Sequence, residues 1–245
     1  MTRCDFRRRW PALLRPVILA ALISLLPLSL VACSSDAGSR PVGCAAATTP
    51  CLQGKALIGL ETSRGTVQIS VDGKEAPLTA GNFVDLVRRG VYNGTSFHRV
   101  VREPVPFVVQ GGDPSSADPK VPAANYGMGS FIDPDTGEAR LIPLELKFKG
   151  SGELRYGQPI STAAQSRDLA LTHQRGAVAM ARSNDPNSAS AQFYVALEAL
   201  PELDGRYAVF GRVSSGMEVI DRIQQGDRIV KATVLEGGTL VKGQP

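Results

Sequence analysis

The chain has 245 residues, an apolar fraction of 43% and a formal charge of +4. That length holds one domain with additions, or at most two small domains, and the apolar share supports a sizeable core. Residues 1–32 carry Arg3, Arg7, Arg8, Arg9 and Arg15 against Asp5 alone, and 22 basic residues balance 22 acidic ones from residue 33 onward. The positive excess is therefore confined to the N-terminus, and the rest of the chain lacks the basic footprint of a nucleic-acid binder.

In chain order the first predicted element is an export signal over 1–32. An Arg-rich stretch precedes Val17-Ile18-Leu19-Ala20-Ala21-Leu22-Ile23, and the run stays uncharged to Ala32. A retained membrane-anchoring helix is the other reading, against which the run is short and contains Pro27. Leu30-Val31-Ala32-Cys33 resembles a bacterial lipobox. That resemblance implies lipidation of Cys33, which becomes the mature N-terminus, and attachment to a membrane facing the periplasm or the cell exterior. Each buried methylene of an acyl chain adds about 0.8 kcal/mol, so two or three chains anchor stably. Arg7-Arg8-Arg9 is a weak twin-arginine hint. Residues 33–54 are small, polar and Pro-containing, as in a flexible linker. Cys44 and Cys51 remain for a disulfide, which an exported location permits, or as two free thiols. With only His98 and His173 besides, no structural zinc site is expected.

The folded domain is expected over 55–245. Gly65 to Val71 alternates, with Val67, Ile69 and Val71 on one face. A helix follows Thr79 as N-cap, with Phe83, Leu86 and Val87 inward, Arg88 and Arg89 at its C-terminal end and Gly90 as its stop. Thr95–Val101 and Phe107–Val109 read as strands. The stretch 114–170 is the least regular part, with Asp133-Pro134-Asp135-Thr136-Gly137 as a hairpin tip and Gly150-Ser151-Gly152 as a break. Strands resume at Ala177–Met180, Gln192–Val195 and Ala208–Phe210. A second helix runs from about Gly216 to Gln225, before a last strand over Ile229–Leu235. Many short strands with two separated helices predict a mainly β protein, a closed antiparallel barrel with helices over its ends.

Ser96-Phe97-His98-Arg99 carries the first candidate chemistry. Ser96 and His98 share a strand face, but no elbow or orienting acid supports a hydrolase. His98 reads instead as a hydrogen-bonded histidine packed inside or behind the sheet. Arg99 is either a surface arginine paired with an acid, or a donor array beside Phe107 and Gln110.

Taken together, several blocks carry a family likeness. Ser96-Phe97-His98-Arg99-Val100, Phe107 and Gln110-Gly111-Gly112-Asp113 resemble the signature of cyclophilins. Gly176 to Arg182, Ser190-Ala191-Gln192-Phe193-Tyr194 and Leu203 to Gly211 resemble its later blocks, and Ala76 to Phe83 its first helix. The likeness spans about 57–236 in the family's order. It implies an eight-stranded antiparallel barrel with two helices and an active groove outside the barrel. It implies peptidyl-prolyl cis–trans isomerase activity without metal or cofactor. The matching catalytic positions are Arg99 and Gln110, the latter supporting the former. The matching substrate positions are Phe107, Val108, Ala181, Gln192, Tyr194, Leu203 and Tyr207, with Phe107, Tyr194 and Leu203 forming the proline-ring pocket. Arg182 falls where the family offers backbone groups, so its side chain need not matter.

The departures are a lengthened turn at Arg102-Glu103-Pro104-Val105-Pro106, Tyr194 and Tyr207 for the more usual Phe and His, the long 114–172 insertion, and Glu202 where many members carry Trp. Weak cyclosporin binding is expected from the last. The implied partners are proline-containing peptides and unfolded exported proteins. The rival reading is a non-catalytic proline-peptide binding module or envelope scaffold.

Overall fold

A computed structural model describes residues 43–44, 48–160 and 162–242. The signal segment, Cys33 and most of the linker lie outside the described residues. The elements are β1 (Cys51–Leu52), β2 (Lys55–Thr62), β3 (Gly65–Asp72), α1 (Pro77–Arg88), β4 (Arg99–Val100), β5 (Val108–Gly111), β6 (Glu145–Lys147), β7 (Leu154–Tyr156), α2 (Ala163–Ser166), β8 (Ala177–Met180), β9 (Phe193–Ala196), β10 (Val209–Ser215), α3 (Met217–Arg222), β11 (Ile229–Gly237) and β12 (Leu240–Val241).

Eight strands form one antiparallel sheet in the order β11-β2-β3-β10-β8-β9-β5-β4. The sheet curls without closing as the expected barrel, since β11 and β4 are its edges and share no ladder. β4 is too short to reach across, because most of the 95–101 stretch is not strand. The chains leading into the two edges meet instead. Thr95 O accepts from Ile229 N at 2.8 Å, and Phe97 N donates to Asp227 O at 2.7 Å.

Strand alternation decides what each face covers. Val67, Ile69 and Val71 are fully buried and point with Ile58 and Leu60 into the main core. That core is roofed by α1, whose Phe83 ring lies 5.0 Å from Phe210 and 5.3 Å from Phe193. On β5, β8 and β9 both faces are covered. Val109, Val178, Met180, Phe193 and Val195 face the core, while Val108, Ala177, Ala179, Tyr194 and Ala196 form a second apolar cluster outside. Two buried faces explain why β8 and β9 read as unbroken apolar runs.

Three local expectations need correction. Thr79 is not the cap of α1: the helix starts at Pro77, whose missing N–H suits the first turn. The next amides, Leu78 N and Thr79 N, donate to the Glu145 carboxylate at 3.1 and 2.8 Å. Glu145 is buried, and its Oε1 also accepts from the Tyr156 hydroxyl at 3.0 Å. A helix end that no local side chain satisfies is thus capped from the insertion. Second, the presumed linker is structured at its end, where β1 pairs with β12 and Cys51 forms a disulfide with Cys44. Gly81 allows this, because a Cβ there would collide with the backbone of Pro50 and Cys51. Third, α3 is shorter than expected, ending at Arg222.

The insertion has its own order. A turn at 133–137 joins Ile132 to Ala139, as the Asp-Pro-Asp-Thr-Gly run implies. The β6–β7 hairpin forms around the glycine break. Leu144, Leu146, Ile160 and Leu169 make a small core with Ala208. The Arg140 side chain is only 8% exposed, with ion pairs to Asp85 at 2.6 Å and Asp133 at 2.8 Å.

Candidate functional site

The outer faces of β4, β5 and β9 bring the first site residues into one row. Arg99 is in register with Gln110, and Gln110 with Tyr194, so the three side chains stand on the same face. Val108 precedes Gln110 by one repeat on that face, and Ala181 follows β8. A short turn over Pro201–Leu203 delivers Leu203, and Tyr207 packs edge-on against Tyr194 with ring centroids 5.8 Å apart. Together with Phe107 and Arg182 these residues line a cavity of about 260 Å³. Every expected substrate-binding residue except Gln192 is in that lining. Its walls are aromatic and aliphatic, and its lining carries the guanidinium groups of Arg99 and Arg182, which suits an apolar ring joined to a polarised amide.

The Arg99 guanidinium lies 5.7 Å from the centroid of Phe107. Among the described residues it makes no hydrogen bond or ion pair. The reading of Arg99 as a surface ion-pair partner therefore fails. The direct support expected from Gln110 is also not formed, since Gln110 Nε2 donates to Gln192 Oε1 at 3.2 Å. The reason lies one step back. Gln192 Nε2 donates to the carbonyls of Gly127 and Gly129 at 3.0 and 2.8 Å, which fixes its oxygen toward Gln110. Gln192 thus lines an adjoining polar chamber of about 200 Å³, walled also by 127–130 and by serines 183, 188 and 190.

The 127–129 wall is held by Asp113. This buried carboxylate accepts from Ser115 N and Ser115 Oγ, each at 2.8 Å, and from Gly127 N and Gly129 N. Burial alone pushes its pKa up, but these hydrogen bonds together outweigh burial and hold it below the ordinary value. Gly129 has to be glycine, because a Cβ there would overlap the Asp113 carboxylate.

Beneath the cavity floor a second polar chain is buried. The Tyr194 hydroxyl lies 2.9 Å from His173 Nε2, and His173 Nδ1 lies 2.7 Å from Asp204 Oδ1. Asp204 Oδ1 also accepts the His173 backbone N–H at 2.7 Å. The carboxylate requires a proton on Nδ1, so in the neutral ring Nε2 accepts from Tyr194. Burial pushes the Tyr194 hydroxyl well above its usual range, so it remains a donor.

His98 is half-buried, as a packed histidine should be, but among the described residues neither ring nitrogen reaches a partner in hydrogen-bond geometry. Burial lowers its pKa against the opposing pull of Asp113 and of the nearby Ser96 and Gln192 groups. Ser96 is buried with its hydroxyl on the Asp227 carbonyl at 3.4 Å, so no Ser–His pair exists. The sequence reading gives no role to Asp113, Gly127, Gly129, His173 or Asp204, although Asp113 and Asp204 stand inside the family-like blocks. A further weak signal for Asp113 is its place two residues before Ser115 in a Pro-containing turn.

The lengthened turn before Phe107 is pinned at its start. Arg102 donates to the carbonyls of Ile220 and Ile223 at the end of α3, at 3.0 and 2.8 Å.

Known proteins share this architecture. A solved cyclophilin-type peptidyl-prolyl cis-trans isomerase from Cryptosporidium parvum superposes with a TM-score of 0.55 at 20% identity, covering 75% of this chain and 99% of that one. The same protein solved in the presence of the dipeptide Ala-Pro gives 0.54 at 21% identity, covering 74% of this chain and 99% of that one. These likenesses speak for the fold. A Synechocystis chain carrying the name of a thylakoid lumen peptidyl-prolyl cis-trans isomerase is 40% identical over 208 residues, covering 80% of this chain and 52% of that relative. This chain thus spans about half the length of that relative. Peptidyl-prolyl cis-trans isomerase-like 1 of Bos taurus is 32% identical, covering 76% of this chain and 90% of that protein. The family model described as cyclophilin type peptidyl-prolyl cis-trans isomerase/CLD matches residues 57–241, from the second strand of the fold to its last. With the curled sheet, the outer cavity and these matches in agreement, the chain belongs to the cyclophilin-type peptidyl-prolyl cis–trans isomerases.

Proposed function

We propose that this chain accelerates Xaa-Pro rotation in exported proteins and so assists their folding. Arg99 stabilises the twisted amide while the apolar cavity holds the proline ring. Rotation breaks no covalent bond. Its barrier, about 18–20 kcal/mol, is the loss of nitrogen lone-pair delocalisation into the carbonyl. Both isomers of an Xaa-Pro bond are populated and exchange over tens to hundreds of seconds. A catalyst must therefore bind the twisted amide more tightly than either planar form.

Twisting localises the lone pair on the prolyl nitrogen, where a guanidinium donor gains strength only in the transition state. The observation carrying this reading is the Arg99 side chain, which lies against Phe107 at the rim of the cavity and makes no hydrogen bond or ion pair among the described residues. Phe107, Val108, Tyr194, Leu203 and Tyr207 hold the ring, Ala181 gives the peptide room, and Gln110 and Gln192 face its polar backbone. Glu202 stands exposed at the Pro201–Leu203 turn, outside the cavity lining. It offers no indole surface, which supports weak cyclosporin binding.

The exported setting rests on the N-terminal signal pattern and on the lumenal name of the Synechocystis relative. The lipobox-like Leu30–Cys33 supports a membrane anchor through lipid on Cys33. Mass spectrometry of the native N-terminus tests both, and an intact Met1 refutes them.

The catalytic reading is tested by isomer exchange of an Ala-Pro peptide by NMR, using the full-length chain in mild detergent. Arg99→Ala is expected to lower kcat about a hundredfold with KM little changed, as for loss of a donor used only in the transition state. Equal losses in binding and turnover would sink the assignment. Peptide binding with no acceleration by the wild type would establish the rival binding-module reading.

A further inference from the structure

The notable side chain outside the expected site is Arg182. It lies where the two cavities meet, because Gln110, Ala181 and Arg182 line both the apolar cavity and the polar chamber. Its guanidinium is fixed. Nε and Nη2 donate to the Arg206 carbonyl at 2.9 and 2.6 Å, and Nη1 donates to the carbonyls of Ser183 and Asn184 at 2.8 and 3.2 Å. The plane lies over the Tyr207 ring at 4.7 Å from its centroid.

These partners are all carbonyls or a π-face. They orient the group but leave its charge uncompensated, and among the described residues no carboxylate pairs with it. No residue lining either cavity is acidic, and the only other charged lining residue is Arg99. A chain whose charges balance from residue 33 onward thus concentrates two unpaired cations along one groove. Such a groove attracts and orients anionic groups. Because folding has already immobilised Arg182, little conformational entropy is lost when a ligand meets it.

We propose that Arg182 is a specificity-determining residue that selects acidic substrates: peptides carrying an Asp or Glu close to the isomerised Xaa-Pro bond. The carboxylate sits at the junction of the chambers while the proline ring fills the apolar one. This rests on the reading of that cavity as the proline site.

The test uses the full-length chain in detergent and Ala-Pro peptides with either Glu or Gln two residues before the proline, or two residues after it. The quantity read is the Glu:Gln ratio of kcat/KM from NMR exchange. At low ionic strength the wild type is expected to favour Glu about threefold at one of the two positions, the scale of an exposed charge pair. In 0.5 M salt, where the screening length falls to about 3–5 Å, the ratio should approach one. Arg182→Gln should abolish the preference and Arg182→Lys should retain part of it.

A purely structural Arg182 would change the rate for both peptides alike and leave the ratio untouched. A ratio of one at both positions, with both peptides accelerated, overturns the proposal but not the isomerase. An unchanged preference in Arg182→Gln overturns it too and moves selection to another cation. No acceleration of any peptide overturns both readings. Should Arg182→Gln fail to fold, the salt titration decides, and a salt-insensitive preference overturns the proposal.

Discussion

The apolar cavity beside Arg99 and the 114–172 insertion face one another across Gln192, yet they are built by different means. The cavity is built on strand alternation: each of Val108, Gln110 and Tyr194 follows from which residues share a face, and neighbouring strands repeat the choice. The insertion is built by a few buried polar groups reaching over long separations. Asp113 holds the 127–129 wall from 14 residues away, and Glu145 caps a helix 66 residues earlier. Apolar faces tolerate conservative change because many contacts share the load. A buried carboxylate does not, since removing it strands every donor that faced it. The insertion should therefore be the more fragile to single isosteric changes, and the cavity the more robust.

The sharpest way to break that comparison is Asp113→Asn. The amide keeps the shape but turns a donor toward amides that need an acceptor. We expect a loss of about 3 kcal/mol in urea unfolding, within the range for breaking a buried hydrogen-bonded charge. Activity should fall with it, because the Gly127 and Gly129 carbonyls orient Gln192. Acid provides a second readout. The Asp113 pKa is lowered in the fold, so its contribution is present at neutral pH. It fades as pH falls below about 3.9, the ordinary Asp value, toward the depressed one. The acid limb of stability should flatten in Asp113→Asn. An unchanged limb would show that the carboxylate does not hold the wall.

Next in size is Glu145→Ala, expected to cost about 2 kcal/mol by orphaning the amides of Leu78 and Thr79. Its pH slope is opposite to that of Asp113. Burial is the dominant influence and raises the Glu145 pKa despite its hydrogen bonds. Its contribution is therefore full in acid, below the ordinary Glu value, and declines as pH rises through the raised one. Isomerase activity on a short peptide should change little, since Glu145 lines neither of the two site chambers. A large activity loss with normal stability would show that the insertion couples to the site by a route other than Gln192.

What the sequence discloses follows the same division. The alternation of Val67, Ile69 and Val71 shows their shared face, and the blocks around Arg99, Gln110 and Tyr194 identify the row through family likeness. The sheet stays open where the pattern predicts closure, because the 95–101 alternation looks like a full strand while only Arg99–Val100 pairs with β5. Cys51–Leu52 read as linker because two residues carry no period, and their partner, Leu240–Val241, lies at the far end of the chain. Polar placements such as Asp113 on Gly127 or Glu145 on α1 have no periodicity at all. The family likeness pairs Gln110 with Arg99, whereas its carboxamide is turned to Gln192 by carbonyls in the irregular insertion.

The smallest expected effect probes the cavity's own polar exception, Tyr194→Phe. The ring stays, still packed against Tyr207 and stacked at 5.9 Å on His173, so the apolar floor of the cavity is preserved. What is lost is the hydroxyl's bond to His173 Nε2, which leaves one buried acceptor unmet at a cost of about 1 kcal/mol. The ring's position is set by strand pairing and apolar contacts, so kcat/KM for a neutral Ala-Pro peptide should fall by less than about twofold. A tenfold fall with intact stability would show that the Asp204–His173–Tyr194 chain, rather than strand alternation, places the floor of the pocket. The cavity would then depend, like the insertion, on a single buried polar link.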